Sequence, residues 1–257
     1  MKNNFRTFFL ILIYCLFLFK PVYANEPFVF NVTEIEILEN GNKINGYNGG
    51  TAISEDGSEI TAKNFFYNKI TNILEAIGNV EYLDKLNNVI ITSDKAIYLK
   101  NDEKIFTSGN SKALIEKKYI FNSENVSYLR NDNKLFSKTS STVEDDNGNI
   151  YKVDNFLYDI EKEILKGQEV NVIAKVDKNK IDKYFFSEGF FNFKDKSHIA
   201  KETKIKTHKD VFGDQNHDPR LYGSSSYSDI SKTVVNNGIF TSCKINDDCP
   251  PCTINAE

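Results

Sequence analysis

Apolar and polar positions along this chain alternate in short runs, and between residues 60 and 207 the runs return with a fixed period. Four returns end on tyrosine: Ile60-Thr-Ala-Lys-Asn-Phe-Phe-Tyr67, Ile91-Thr-Ser-Asp-Lys-Ala-Ile-Tyr98, Phe121-Asn-Ser-Glu-Asn-Val-Ser-Tyr128 and Tyr151-Lys-Val-Asp-Asn-Phe-Leu-Tyr158. Those tyrosines are 31, 30 and 30 residues apart. A weaker fifth copy, Phe185-Phe-Ser-Glu-Gly-Phe-Phe-Asn192, puts Asn192 in the tyrosine slot. A period in this range marks stacked supersecondary units that share one core.

Neighbouring side chains of a strand point to opposite faces, so the parity of each copy can be read. Seven and five residues before the tyrosine, a large and a small side chain share a face, as in Ile60 with Ala62 and Phe121 with Ser123. Two residues before it come Phe65, Ala96, Val126, Phe156 and Phe190, on the opposite parity. The switch falls on polar pairs (Lys63-Asn64, Asp94-Lys95, Glu124-Asn125, Asp154-Asn155, Glu188-Gly189), which predict a corner or bulge that keeps the apolar side inward. A second strand follows in each unit, as in Lys104-Ile-Phe-Thr-Ser-Gly109, and Asn-Gly, Gly-Asn and Asn-Asp pairs punctuate the gaps. The predicted fold class is all-β: an elongated, twisted β jelly roll, or a solenoid-like stack of two-strand units of ~30 residues.

Ahead of the repeat, Phe28-Val-Phe30-Asn-Val32-Thr-Glu-Ile35-Glu-Ile37 alternates cleanly and reads as an edge strand. An edge can recruit a strand from another chain, which makes Phe28, Phe30, Val32 and Ile35 the candidate partner-pairing positions. Past residue 207 the pattern breaks. Residues 208–228 read as loop or linker, with short strands expected near 232–235 and 238–242.

The first 24 residues read as an export signal: Lys2 and Arg6 precede a twelve-residue apolar run at 8–19, too short to span a bilayer comfortably, and Val22-Tyr-Ala24 supplies small residues at a cleavage site. Residues 1–24 hold three bases and no acid, so the remainder carries a net charge of −7 against −4 for all 257 residues. That balance argues against binding a phosphate backbone, and no nucleic-acid partner is expected.

Cys243, Cys249 and Cys252 close the chain; an odd number in an exported protein leaves a disulfide among them open to three pairings. Pro250-Pro251 between Cys249 and Cys252 suits a turn better than a zinc knuckle or a redox motif, so no metal is expected. His198, His208 and His217 read as solvated. A polysaccharide-cleaving enzyme would gather carboxylates on one turn. The acidic doublets outside strands, Asp145-Asp146 and Asp247-Asp248, sit in turn contexts, so no catalytic residues and no cofactor are assigned.

Asp218-Pro-Arg-Leu-Tyr-Gly223 and Gly238-Ile-Phe-Thr-Ser-Cys243 with Cys249-Pro-Pro251, together with the signal and the repeat, resemble the OstA-like family of lipopolysaccharide-assembly proteins. That family includes LptA, LptC and the periplasmic N-terminal part of LptD. The resemblance implies a periplasmic, outer-membrane-associated domain at 25–207, then a loop and cysteine-containing tail at 208–257 leading to a missing barrel. It also implies lipopolysaccharide as ligand, an LptA-like bridge protein joined by edge-strand addition, and an outer-membrane barrel with an LptE-like lipoprotein as partners. Lipid A acyl chains would lie in a groove against Phe65, Ile97, Val126, Phe156 and Phe190, positions taken from parity. The alternatives are a stand-alone LptA-like bridge and a structural or adhesin solenoid that binds no lipid.

Overall fold

The computed structural model describes residues 27–177, 179–213, 215–244 and 253–256. The signal at 1–24 and both Cys249 and Cys252 lie outside them. Twenty-one strands, from Phe28–Leu38 to Thr253–Ala256, join into one antiparallel sheet, with no α-helix among the described residues. The all-β architecture expected from the repeat is the one found.

The sheet is folded lengthwise. The strand Ile73–Asp84 shows how: residues 73–77 pair with Asn64–Asn68, while residues 81–83 pair with Glu59–Ala62. Lys43–Ser54, Val89–Leu99 and Ile164–Asp177 change partners in the same way. Two half-sheets result, A and B, joined along a line of corners. The polar pairs predicted to turn the strands stand on this line: Lys63, Asp94 and Asp154 donate their backbone N–H groups across it to the carbonyls of Gly78, Gly109 and Gln168, at 2.9, 3.1 and 3.0 Å.

Two of the Gly-Asn pairs, Gly78-Asn79 and Gly109-Asn110, belong to the same line rather than to the gaps between strands, where Gly41-Asn42 and Gly148-Asn149 do stand as expected. Gly78 and Asn79 both take left-handed φ, 85° and 51°, inside a continuous strand, and the register slips there between Ile77 and Val80. This is a bulge that bends the strand and needs residues tolerant of positive φ. At Gly109 a Cβ would also collide with the Asp94 carboxylate.

Folding brings two apolar rows face to face. In half-sheet A, Ile44, Tyr67, Leu74, Tyr98, Ile105, Tyr128, Leu135, Tyr158, Leu165 and Phe191 stand opposite one another across successive strands. From Tyr67 to Phe191 none is more than 4 % exposed. In half-sheet B the matching row runs from Ala52 and Ile60 through Tyr82, Ile91, Phe121, Val143, Tyr151 and Tyr184 to Ile205. Ring contacts join the halves: Tyr82 with Tyr98 at 6.1 Å, and Phe121 with Tyr158 and Phe156 at 4.8 and 5.2 Å. Aromatic residues alternate with branched ones along the row of half-sheet A, and with smaller residues along that of half-sheet B, which lets the faces interdigitate as a stacked-sheet core requires.

The sheet continues past residue 207. The described residues 208–213 and 215–219 hold one 3₁₀ turn, at Lys209–Phe212, and no strand, but Arg220–Ser228 is a strand paired with Ser197–Lys206. The loop expected over 208–228 is therefore only its first half; serines at 224–226 serve as small strand residues here.

Candidate functional site

Opposite the line of corners, the turns of the two half-sheets face each other across a mouth. On side A the turns stack through backbone hydrogen bonds, Lys100 N–H to Asn72, Arg130 N–H to Glu103, Ile160 N–H to Asn133 and Phe193 N–H to Glu163, all within 2.9–3.0 Å. Each turn ends on a left-handed residue five places after the anchor tyrosine: Asn72, Glu103, Asn133 and Glu163. Tyr67 and Tyr98 donate their hydroxyls to these residues in the first two units, at 2.9 Å to Asn72 Oδ1 and 2.5 Å to Glu103 Oε2.

Charged side chains close the mouth over the first half of the stack. Arg130 on side A donates Nε to Asp84 Oδ2 at 2.8 Å and Nη1 to Asp56 Oδ2 at 3.1 Å, both on side B. Lys100 Nζ reaches Asp56 at 2.7 Å and also pairs with Glu103. Tyr128 donates to Asp84 at 3.1 Å. The Asp84 side chain is 1 % exposed and that of Arg130 11 %. Burial acts to raise the Asp56 and Asp84 pKa values. Hydrogen bonds from Lys100, Ser58 and Ser54 on Asp56, and from Asn87 and Arg130 on Asp84, overcome it and hold both carboxyls below their usual value. Farther along, Tyr119 of half-sheet B donates to Glu163 of side A at 2.5 Å. The latch ends there.

Beyond it the half-sheets part around a cavity of about 270 Å³. Tyr151, Tyr184 and Phe186 line it from half-sheet B, and Phe191, Phe193 and His198 from half-sheet A. The cause lies in the row that closes the centre. After Phe191, half-sheet A continues as His198, Ser228 and Thr233, whereas half-sheet B keeps its row apolar through Tyr184, Ile205, Leu221 and Phe240. One wall keeps its apolar face and the other supplies too little volume to cover it. Asp145, Asn147 and Lys196 rim the opening, and no ion pair joins Asp145 to Lys196 among the described residues. Burial, then the nearby Asp182, pushes the Tyr184 hydroxyl up to about 12, and burial, then Asp145, raises that of Tyr151 further. Both stay protonated donors, and Tyr151 uses its proton on Asp145 Oδ2 at 3.3 Å. The site is chemically suited to shelter an apolar chain beneath a polar rim.

His198 is not solvated, as the sequence suggested. Its ring lies 5.1 Å from Phe186 and 5.8 Å from Phe191, and burial lowers its pKa from 6.5. An unfolded chain therefore takes up the proton more readily, so stability present above about pH 6.5 is lost as pH falls from there toward the folded value. His198→Asn is expected to flatten this part of the profile in thermal denaturation between pH 7 and 5, with little change at pH 8. His208 is also withdrawn from solvent, its Nδ1 2.8 Å from Asp182 Oδ1.

The parity column divides. Phe65, Val126 and Phe156 point inward and are 0, 1 and 3 % exposed, packed in the filled centre rather than facing an open groove. Ile97 and Phe190 are corrections. Ile97 sits on the outer face opposite Glu75 and Phe106, because Ala96 holds the inward position. Phe190 is 45 % exposed, with the Lys166 ammonium 5.1 Å from its ring centre. The fifth copy is in fact Tyr184 to Phe191, one residue earlier than the sequence alignment placed it, and a one-residue slip reverses every side chain.

At the opposite end, Phe28–Leu38 pairs only with Lys43–Ser54 among the described residues, leaving one edge open. Phe28 is buried against Tyr67 at 5.2 Å, and Phe30 and Val32 pack on the core. Ile35 faces inward yet is 50 % exposed. Cys243 is half-buried, its N–H bonded to Thr241 Oγ1 at 3.3 Å; the pairing expected with Cys249 or Cys252 falls outside the described residues.

Comparison with protein-family models and with curated proteins returns no match. Among solved structures, the chain is similar to LptH, the LptA homologous periplasmic component of the lipopolysaccharide transport device from Pseudomonas aeruginosa, at 11 % sequence identity and a TM-score of 0.29, covering 58 % of this chain and 96 % of that one.

Proposed function

We propose that this chain is a periplasmic lipopolysaccharide-binding domain that shelters acyl chain between its half-sheets and passes the lipid toward the outer membrane. The observation that carries this reading is the aromatic cavity between Tyr184 and Phe191, open through the part of the mouth that no ion pair closes among the described residues. Each methylene withdrawn from water there is worth roughly 0.8 kcal/mol, so retention is strong and onward movement draws on energy supplied elsewhere. The cavity's size fits a segment of one chain, with sugars and phosphates left in water beyond the rim.

The open edge of Phe28–Leu38 supports assembly into a longer bridge. An incoming strand from an LptA-like protein would extend the sheet and cover Ile35 and Ile37, which are 50 and 63 % exposed on the inner face. The sealed centre around Phe65 and Phe156 favours a second reading, a structural solenoid that binds no lipid.

A photocrosslinking amino acid at Tyr184 decides between them, with Phe156 and the outward Lys152 as controls. Lipopolysaccharide adducts at position 184 alone are the expected result. Equal labelling at 184 and 152, or none at 184, would leave the solenoid.

A further inference from the structure

The outer face of half-sheet B carries a feature that the apolar cavity does not explain. Lys183, Lys206 and Arg220 stand directly opposite one another on three adjacent strands. Like charges in that position repel, and a sheet ordinarily alternates them with acids. None of the three has an ion-pair partner among the described residues. They surround a cavity of about 250 Å³ whose lining also includes Thr207, Lys209 and Asp218; Lys209 lies 3.4 Å from Asp218.

Two of the lining residues each carry a buried polar atom with no hydrogen-bond partner, Arg220 Nη1 and Thr207 Oγ1. Such atoms are uncommon because each loses its water without compensation. Two orphans beside three unneutralised cations on one small concavity form an arrangement suited to binding an anion. The anion would neutralise the cross-strand repulsion and give both orphans an oxygen to bond.

We propose that this concavity is a binding site for a phosphate group. The guanidinium of Arg220 and the ammonium groups of Lys183 and Lys206 bind its oxygens, and the Thr207 hydroxyl completes the set. The group comes from a phosphorylated lipid headgroup or from free phosphate. Lys183 and Lys206 point away from the core because their neighbours Tyr184 and Ile205 point into it, so the site stands apart from the acyl cavity.

The test compares the full chain with Lys183→Gln/Lys206→Gln and with Lys112→Gln/Lys152→Gln, a control pair on exposed positions of the same half-sheet. Thermal midpoints are followed against inorganic phosphate at constant ionic strength. A site on the native state raises the midpoint as phosphate rises. Wild type and control should respond alike, with the Lys183/Lys206 variant at least tenfold less sensitive. In chloride that variant should be no less stable than wild type, since the change removes like charges, so misfolding would be visible as such. Flotation with phosphatidylcholine vesicles, with and without phosphatidic acid, separates the sources: retention by phosphatidic acid that the variant loses assigns a headgroup, and a response to soluble phosphate alone assigns the free ion. No response of wild type to either probe, or equal responses from both variants, overturns the site.

Discussion

Replacing Arg130 with alanine is expected to lower the thermal midpoint by about 6–12 °C, from a loss of about 3 kcal/mol at roughly 2–4 °C per kcal/mol for a chain of this size. The guanidinium spans the mouth to Asp84 and Asp56 and also touches Glu103 at 3.2 Å. Its removal leaves Asp84, 1 % exposed, as an uncompensated charge, and that penalty exceeds the value of the pair itself. The figure stays at the low end of the range for buried pairs because Asp56 is 24 % exposed and can rehydrate. Arg130→Lys keeps the charge but not the fork that serves two carboxylates at once, so an intermediate loss is expected.

The pH dependence has a defined sign. Asp56 and Asp84 are held below their usual value in the folded state, so their contribution is complete above the ordinary carboxylate range and is lost as pH falls through it toward the folded values. Without Arg130, part of that acid-dependent loss has already occurred. The stability curves of wild type and Arg130→Ala should converge below about pH 4. Parallel curves across that range would mean the cluster at the mouth does not hold the half-sheets together.

Much of this architecture was legible because one residue type, tyrosine, repeats at a position where its ring fills the core, and in Tyr67 and Tyr98 its hydroxyl also reaches a turn. Tyr67, Tyr98, Tyr128 and Tyr158 fixed the period, and the polar pairs between the two parities fixed the corner line. The left-handed Asn72, Glu103, Asn133 and Glu163, five residues after each tyrosine, are spaced as regularly and were missed as the backbone acceptors that stack the turns. Other features were out of reach. The Asp56–Arg130 contact joins residues 74 apart in different units, and nothing local in either announces it. The fifth copy slipped because Phe185, Phe186, Phe190 and Phe191 offer apolar side chains on both parities, so hydrophobicity alone does not choose the register. Ile97 was assigned to the groove although Ala96 stands in the same column as Phe65 and Val126, and a close-packed interior needs small residues where two faces approach. The open cavity depends on His198, Ser228 and Thr233 meeting in one row, which only the pairing of three strands reveals.

The centre and the open end of the stack should answer truncation in opposite ways. Phe121 is fully buried, between Phe156 at 5.2 Å and Tyr158 at 4.8 Å, on the line where the two half-sheets interlock. Phe121→Ala removes a ring that touches both faces and leaves a void its neighbours cannot close without breaking ladder hydrogen bonds, at a cost of about 3–5 kcal/mol. Tyr184 is half-buried and already borders empty space, so Tyr184→Ala widens an existing cavity and should cost only about 1–2 kcal/mol. Their functional effects should reverse that order. Phe121→Ala should retain lipid labelling at a probe placed on Phe191 for as long as it stays folded, and Tyr184→Ala should lose most of it, because a wall of the cavity is gone. Denaturant unfolding of both variants, with the labelling yield at 191 measured below each transition, tests the pair together. Equal stability losses, or labelling abolished by Phe121→Ala in the folded state, would mean that the acyl chain runs through the centre after all and that the packed core seen there opens to admit it.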